Sequence, residues 1–319
     1  MAYNDFLAAF AKAQAVGSVE DLLSTHAKRY SFQIRSRERA KSMIAMFDEK
    51  LGLDWKGLRV LDIGCAYGAF TIELAKRGAK AVGVELSDKW LRLAKINAQD
   101  EIDVPFISCD AASRQARRQL VRYGPFDVVL LNDVFEHIYD TAGLLSNVRA
   151  LMAPGGILYF KVPNGKATRH VLLEGHKSVF GISLLAPDYW PQFVKAPFQI
   201  YYRRWEYFTA LFNEFEFTGL KVLNVNKDKN IGVTRTHIVN DLQKIRDHLK
   251  PENFQNGGQF KTASEACQQY FDEVAEDLEG MGWQELFFKY RVTFWEGIIQ
   301  TAASQSNGLF SLRRGKASL

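Results

Sequence analysis

Cysteine is scarce in this chain, with three in 319 residues, at positions 65, 109 and 267. An odd number, far apart and without metal-ligand spacing, excludes a disulfide framework and a cysteine zinc site. Such usage fits a reducing compartment, so a cytoplasmic location is expected. Long apolar runs are missing as well: no window approaches the roughly twenty uninterrupted apolar residues of a membrane span. The opening stretch MAYNDFLAAFAKAQAVGSVEDLL has no basic start, no long apolar core and no small-residue cleavage site, so it reads as an amphipathic helix rather than a signal peptide. Charge of one sign is not in great excess, since 41 Lys and Arg against 36 Asp and Glu leave a formal +5, and the basic residues are scattered. That gives no argument for nucleic acid. No internal repeat is visible. What the sequence has in quantity is apolar residues, 47% of the chain, enough for a substantial core in one large domain or a domain with additions.

Within it, VLDIGCAYGAF, Val60 to Phe70, combines a buried-strand run, an acid and two glycines. The run ending at Asp62 predicts a strand, and Gly64 and Gly68 supply backbone freedom where that strand turns into a helix. A dinucleotide fingerprint fits poorly, because Gly64, Ala66 and Ala69 occupy its three glycine places. Asp62, just before the turn, suits an ammonium group better than a phosphate. A second strand, KAVGVE, ends in Glu85, a place from which a carboxylate holds ribose hydroxyls in doubly wound sheets. A third, VPFISCD, ends in Asp110, able to accept from an exocyclic amine such as that of adenine or, alternatively, to cap a helix beginning at Ala111.

From Val60 to about Asn164, a third of the chain, the sequence resembles the class I S-adenosylmethionine-dependent methyltransferases. VLDIGCAYG resembles the first motif of that family, AVGVEL its second-strand acid, SCDA its adenine-contacting turn, FDVVLLNDVFEHI its fourth strand, and LMAPGGILYFKVPN the loop into its fifth. One departure is Ala66, where many members carry glycine. The resemblance implies S-adenosyl-L-methionine as cofactor, contacted by Asp62, Gly64, Cys65, Gly68, Glu85, Leu86, Asp110, Ala111 and Asn132. It also implies an α/β fold: a doubly wound, seven-stranded, mostly parallel sheet with an antiparallel last strand.

The expected organisation has N-terminal helices over 1–51, the cofactor-binding half over 52–164, and a lid insertion over 165–203. A closing helix and the last two strands follow over 204–240, and a helical extension over 241–319 ends in the basic tail SLRRGKASL. The two closing strands are predicted at Gly219–Val225 and Ile231–Val239. The extension is a candidate surface for a homo-oligomer.

For catalysis the first candidate is His137, five residues after Asn132, which can accept a hydroxyl proton or can simply pack at a helix start. Glu136 is expected at the surface or just behind the ligand-contacting residues, with no decided role. His170 and His176 of the insertion are within reach of an acceptor if the lid folds over, but their spacing, with no third ligand nearby, argues against zinc, and no metal is required. Tyr189, Trp190, Phe193, Phe198, Tyr201, Tyr202 and Trp205 either bind an apolar, aromatic or sugar-bearing acceptor or form the lid's own core. Tyr30 and Arg35 are candidates by analogy alone. The expected activity is methyl transfer to a small-molecule acceptor, with oxygen favoured: a natural product, glycan or lipid-linked intermediate. A nucleic-acid methyltransferase and a non-catalytic cofactor-binding scaffold are the alternatives. Against the first, no Asn/Asp-Pro-Pro-aromatic motif follows strand four.

Overall fold

The computed structural model describes residues 2–195, 197–224 and 231–303. Four helices come first: α1 (Ala2–Ala13), α2 (Val19–Leu23), α3 (Ser31–Ile34) and α4 (Ser36–Leu51). Strands and helices then alternate as β1 (Arg59–Ile63), α5 (Ala69–Lys76), β2 (Lys80–Glu85), α6 (Asp88–Ala98), β3 (Phe106–Ser108), α7 (Ala116–Leu120), β4 (Phe126–Asn132), α8 (Thr141–Leu151) and β5 (Met152–Pro163). An insertion carries α9 (Thr168–Leu172) and α10 (Trp190–Phe193). The chain continues through α11 (Trp205–Glu214), β6 (Phe217–Val222), α12 (Ile231–His248), α13 (Gly257–Gly280), α14 (Trp283–Tyr290) and β7 (Phe294–Thr301).

Among the described residues seven strands form one sheet, in the order β3-β2-β1-β4-β5-β7-β6. The first five are parallel, and β7 lies antiparallel between β5 and β6. The centre is apolar on both faces because side chains alternate with a period of two and helices cover both sides. Leu61, Ile63, Val129 and Leu131 meet residues of α7, α8 and α11, whereas Val60, Val128 and Leu130 meet residues of α4 and α5. The mostly parallel sheet with an antiparallel last strand is thus as expected, and so are the helices up to Leu51.

The last strand, however, is not where the sequence placed it. Ile231–Val239 is helical, the first half of α12. Its β-branched residues suggest a strand, but Thr234, Ile238, Leu242 and Ile245 are all buried, spaced i, i+4, i+8 and i+11, and this stripe runs past the supposed boundary at Asp241. The strand is instead FWEGIIQT, 294–301, inside the segment expected to be helical. A Cβ at Gly297 would come within 2.7 Å of the Phe160 ring and 3.0 Å of the Lys221 carbonyl, so only glycine fits between the two neighbouring strands. The first closing strand is β6, and Val225, assigned to it from sequence, lies outside the described residues, as does the basic tail 311–319.

The helical extension and the insertion share a core. Ile238, Leu242 and Ile245 of α12, Cys267, Tyr270 and Val274 of α13, and Leu286 and Tyr290 of α14 close on Val171 and Phe180. A second insertion core gathers Ile182, Leu185, Trp190, Phe198 and Ile200, which answers the question about the aromatics in favour of packing for Trp190 and Phe198. At the other end, Phe6 and Phe10 of α1 pack on Tyr67 and Leu93. The buried Arg37 ties α4 to α5 and α6 by donating to Glu73 at 2.7 Å and to Asn97 at 3.0 Å.

Candidate active site

The carboxyl ends of β1 to β5 carry the site, as expected for an open α/β sheet. After β1 the chain turns through three residues of positive φ: Gly64 at +70°, Ala66 at +46° and Gly68 at +74°. Gly64 and Gly68 are required twice over. A Cβ on Gly64 would sit 2.7 Å from Val134, and one on Gly68 would sit 2.6 Å from the Phe106 ring. Ala66 adopts the left-handed turn despite its Cβ, at a cost of about 1–2 kcal/mol.

Glu85, at the end of β2, braces this turn: Oε2 accepts from the Ala66 amide at 3.0 Å and Oε1 from the Ser87 amide at 2.8 Å. Each oxygen retains a lone pair for a hydroxyl. Asp62 is buried, and its Oδ2 accepts from the Thr71 hydroxyl at 2.7 Å. Burial pushes its carboxyl up to about 7, with Thr71 opposing and Glu85 adding to the rise. Cys65 is packed among Ile72, Leu91, Ala94 and Phe106, so its thiol faces the interior and only its main chain borders the turn. Burial holds that thiol far above its ordinary range.

Next along the sheet edge, Leu86 is 70% exposed, an apolar side chain without cover just after β2. Asp110 Oδ1 accepts from the Ala112 amide at 3.0 Å in a turn, not as the cap of a helix beginning at Ala111, since α7 starts only at Ala116, and Oδ2 makes no hydrogen bond among the described residues. Ala111 is buried, and its carbonyl accepts from Asn147.

The end of β4 holds the unusual chemistry. Asn132 Oδ1, Asp133 Oδ1 and both carboxylate oxygens of Glu136 are buried with no hydrogen-bond partner. Glu136 is 1% exposed, and burial, then the neighbouring Asp133, push its carboxyl up to about 8. Asp133, at φ +57°, has its other oxygen paired with Lys161 at 2.9 Å. His137 ends a 3-10 turn, Phe135–His137, rather than beginning a helix. Burial, then His176, hold its imidazole below the ordinary range, against a hydrogen bond to the Gln199 backbone. The His137 and His176 rings meet edge to face at 5.4 Å. His176 Nδ1 in turn lies 2.7 Å from Glu174 Oε1.

Of the sequence candidates, the fold therefore brings His137, His176 and Glu136 together, and it sets the others aside. His170 is buried with Nδ1 on the Asn164 carbonyl at 2.9 Å. Arg35 is exposed and paired with Glu38, and Tyr30 packs edge-on against Phe10. The N-terminal segment reaches the site through Arg39 instead, whose guanidinium lies within electrostatic range of Asp133. Asp133, Lys161 and Glu174 were not anticipated. An acid three residues before Glu136 was a visible signal for Asp133, while Glu174 and Lys161 come from distant segments and had none.

The model of a family described as a methyltransferase domain matches residues 28–222, more than half of the chain. The ubiquinone biosynthesis O-methyltransferase of Coxiella burnetii (strain RSA 331 / Henzerling II) is 28% identical over 144 residues, covering 44% of this chain and 58% of that enzyme. The enzyme of the same name from Cereibacter sphaeroides (strain ATCC 17029 / ATH 2.4.9) is 32% identical over 123 residues, 37% of this chain and 47% of that one. The chain thus spans about half the length of these relatives. A solved S-adenosylmethionine-dependent methyltransferase of Archaeoglobus fulgidus aligns with a TM-score of 0.45 at 15% identity, covering 85% of this chain and all of that one.

Proposed function

We propose, from the premise that this chain belongs to the methyltransferase-domain family, that it is an S-adenosylmethionine-dependent methyltransferase acting on a hydroxyl of a small-molecule acceptor. The observation that carries the reading is the row of unspent acceptors along the sheet edge: Glu85, Asp110 Oδ2 and the buried, partnerless Asn132 Oδ1. Asn132 Oδ1 is buried without a donor, which is costly unless a ligand supplies one, while Glu85 and Asp110 keep free lone pairs facing the same edge. S-adenosylmethionine fits that pattern with two ribose hydroxyls for Glu85, an adenine amine for Asp110 beside the bare Leu86, and an ammonium for Asp62 and Asn132. When bound it supplies a methyl group on a sulfonium, which an acceptor oxygen takes by in-line displacement.

The residues of this chain then have three tasks. The turn from Gly64 to Gly68, braced by Glu85, fixes the ribose and brings main chain close to the ligand. His137, held neutral by its surroundings, offers a lone pair where an acceptor hydroxyl has to lose its proton. The insertion closes the acceptor side. A cavity of about 500 Å³ there is walled by Lys166, Tyr201, Tyr202, Arg203 and, from α13, Tyr270. Of these, Tyr202 also donates to Glu174 at 2.5 Å and the Tyr201 amide to the Glu136 carbonyl at 2.7 Å, so the cavity wall and the β4 end are directly linked. The O-methyltransferase names of these relatives support oxygen as the acceptor atom.

The test is turnover. Purified protein with trideuteromethyl-labelled cofactor and a panel of phenols, hydroxylated quinone precursors and sugars should give at least one product heavier by one labelled methyl, lost in the His137→Ala variant. Labelling confined to amines would overturn oxygen as the acceptor.

A further inference from the structure

We propose that Glu136, His137 and His176 form a binding site for one divalent first-row transition-metal ion, placed beside the acceptor. One ligand atom from each of these three side chains lies within 4.8 Å of one from each of the others. Ligands on opposite sides of an ion bound at about 2.1 Å stand about 4.2 Å apart, so small side-chain movements complete the site. The spacing of His170 and His176 by themselves argues against zinc. The fold replaces His170 with two residues from the end of β4.

Three features indicate that the cluster is built for a ligand. Both Glu136 carboxylate oxygens are buried and have no protein donor. His176 is oriented from behind, its Nδ1 lying 2.7 Å from Glu174 Oε1, and the His137 ring stands edge to face against it at 5.4 Å. Donation from one ring nitrogen leaves the other with a lone pair for a metal, the carboxylate–histidine arrangement common behind metal ligands. Glu174 is itself fixed. Its Oε1 accepts from the His176 amide at 2.8 Å and from the Tyr202 hydroxyl at 2.5 Å, and its Oε2 from the Lys177 amide at 2.5 Å.

Two imidazoles and a carboxylate suit Mn²⁺, Fe²⁺, Co²⁺ or Zn²⁺ rather than Mg²⁺ or Ca²⁺, which take oxygen ligands. Each histidine keeps a solvent-accessible side while Glu136 is buried, so the remaining coordination positions open toward solvent. The groups around the cluster are Asp133, which adds negative charge, and Lys161, whose ammonium is paired with Asp133. An ion at this place would act as a Lewis acid, lowering the pKa of an acceptor hydroxyl bound to it, with the proton leaving to water. His137 would then serve as a ligand instead of as the base. The role toward the acceptor rests on the methyl-transfer reading; the binding of the ion does not.

The experiment titrates the full chain, stripped with a chelator, with Co²⁺ alone, followed by visible absorption and equilibrium dialysis. One equivalent should bind, with absorption bands that indicate nitrogen and oxygen ligation. Affinity should fall at least tenfold in Glu136→Gln and in His176→Ala, fall about 10- to 100-fold in Glu174→Gln, and stay unchanged in His237→Ala, an exposed histidine on α12. Titration of the same samples with S-adenosylhomocysteine reports the cofactor site separately. No saturable Co²⁺, Zn²⁺ or Mn²⁺ binding by folded wild type, or binding as tight in Glu136→Gln and His176→Ala as in wild type, would overturn the site.

Discussion

Asp62→Asn should move stability and cofactor affinity in opposite directions. The Asp62 carboxyl is fully buried, with Thr71 as its hydrogen-bond donor, and burial raises it from 3.8 to about 7. A carboxyl whose folded value lies above its unfolded value is ionised first in the unfolded chain. Its contribution to stability is therefore greatest at acid pH, falls as pH rises from about 4 to about 7, and levels off above that. A shift of about three units at about 1.4 kcal/mol each amounts to about 4 kcal/mol at pH 8. Asparagine keeps an acceptor for Thr71 and never ionises. Even half of that gain, about 2 kcal/mol, would raise Tm by about 3 °C at pH 8 in a chain of 319 residues, and the gain should shrink at pH 5. The lost ammonium partner should weaken S-adenosylhomocysteine binding by about 1.5–3 kcal/mol, about 10- to 150-fold. Thermal melts at the two pH values and calorimetric titration give both quantities. A variant that melts lower than wild type at pH 8, or that binds as tightly, would refute the reasoning.

Ala66→Gly relieves the left-handed alanine but loosens the unfolded chain, so it should stabilise by a net of about 0.5–1 kcal/mol; a lower Tm would show that the turn is unstrained. Arg37→Ala leaves Glu73 buried without its closest cation and should cost about 3–5 kcal/mol in urea unfolding. A loss under about 1 kcal/mol would mean that Lys41 and Lys76, at 4.0 and 3.9 Å, take over. Gly68→Ala, which drives a Cβ into the Phe106 ring, should destabilise the chain and weaken cofactor binding together; weaker binding with an unchanged Tm would place the glycine's role in the ligand alone.

The cofactor half was legible because its signals are local. A buried strand, an acid at its end and a glycine turn occupy eleven consecutive residues, and each of the next strands, β2 to β5, announces itself in its own short apolar run, although the sheet orders them β3-β2-β1-β4-β5. The second closing strand misled because a nine-residue window around Ile231–Val239 shows β-branched residues but not the helical stripe that continues to Ile245. β7 was missed for the converse reason: its partners, Phe160 and Lys221, lie far away in sequence, and only they explain Gly297. The same limit applies to the site. Glu136 and His137 are adjacent, but the contact with His176 and the support from Glu174 depend on how a segment about forty residues downstream folds back. No spacing rule within one window carries that information. Burial of a carboxylate without a donor is likewise a property of the fold alone.

The central claim, that the strand ends from Asp62 to Asn132 hold S-adenosylmethionine, is tested most directly by calorimetric titration of the purified chain with S-adenosylhomocysteine, beside the Glu85→Ala variant and beside NAD. Wild type should show one saturable site, Glu85→Ala about 5- to 150-fold weaker affinity for the loss of about 1–3 kcal/mol of ribose hydrogen bonding, and NAD no heat. Saturable binding of NAD, S-adenosylhomocysteine affinity unchanged by Glu85→Ala, or no binding by folded wild type at millimolar ligand would contradict it.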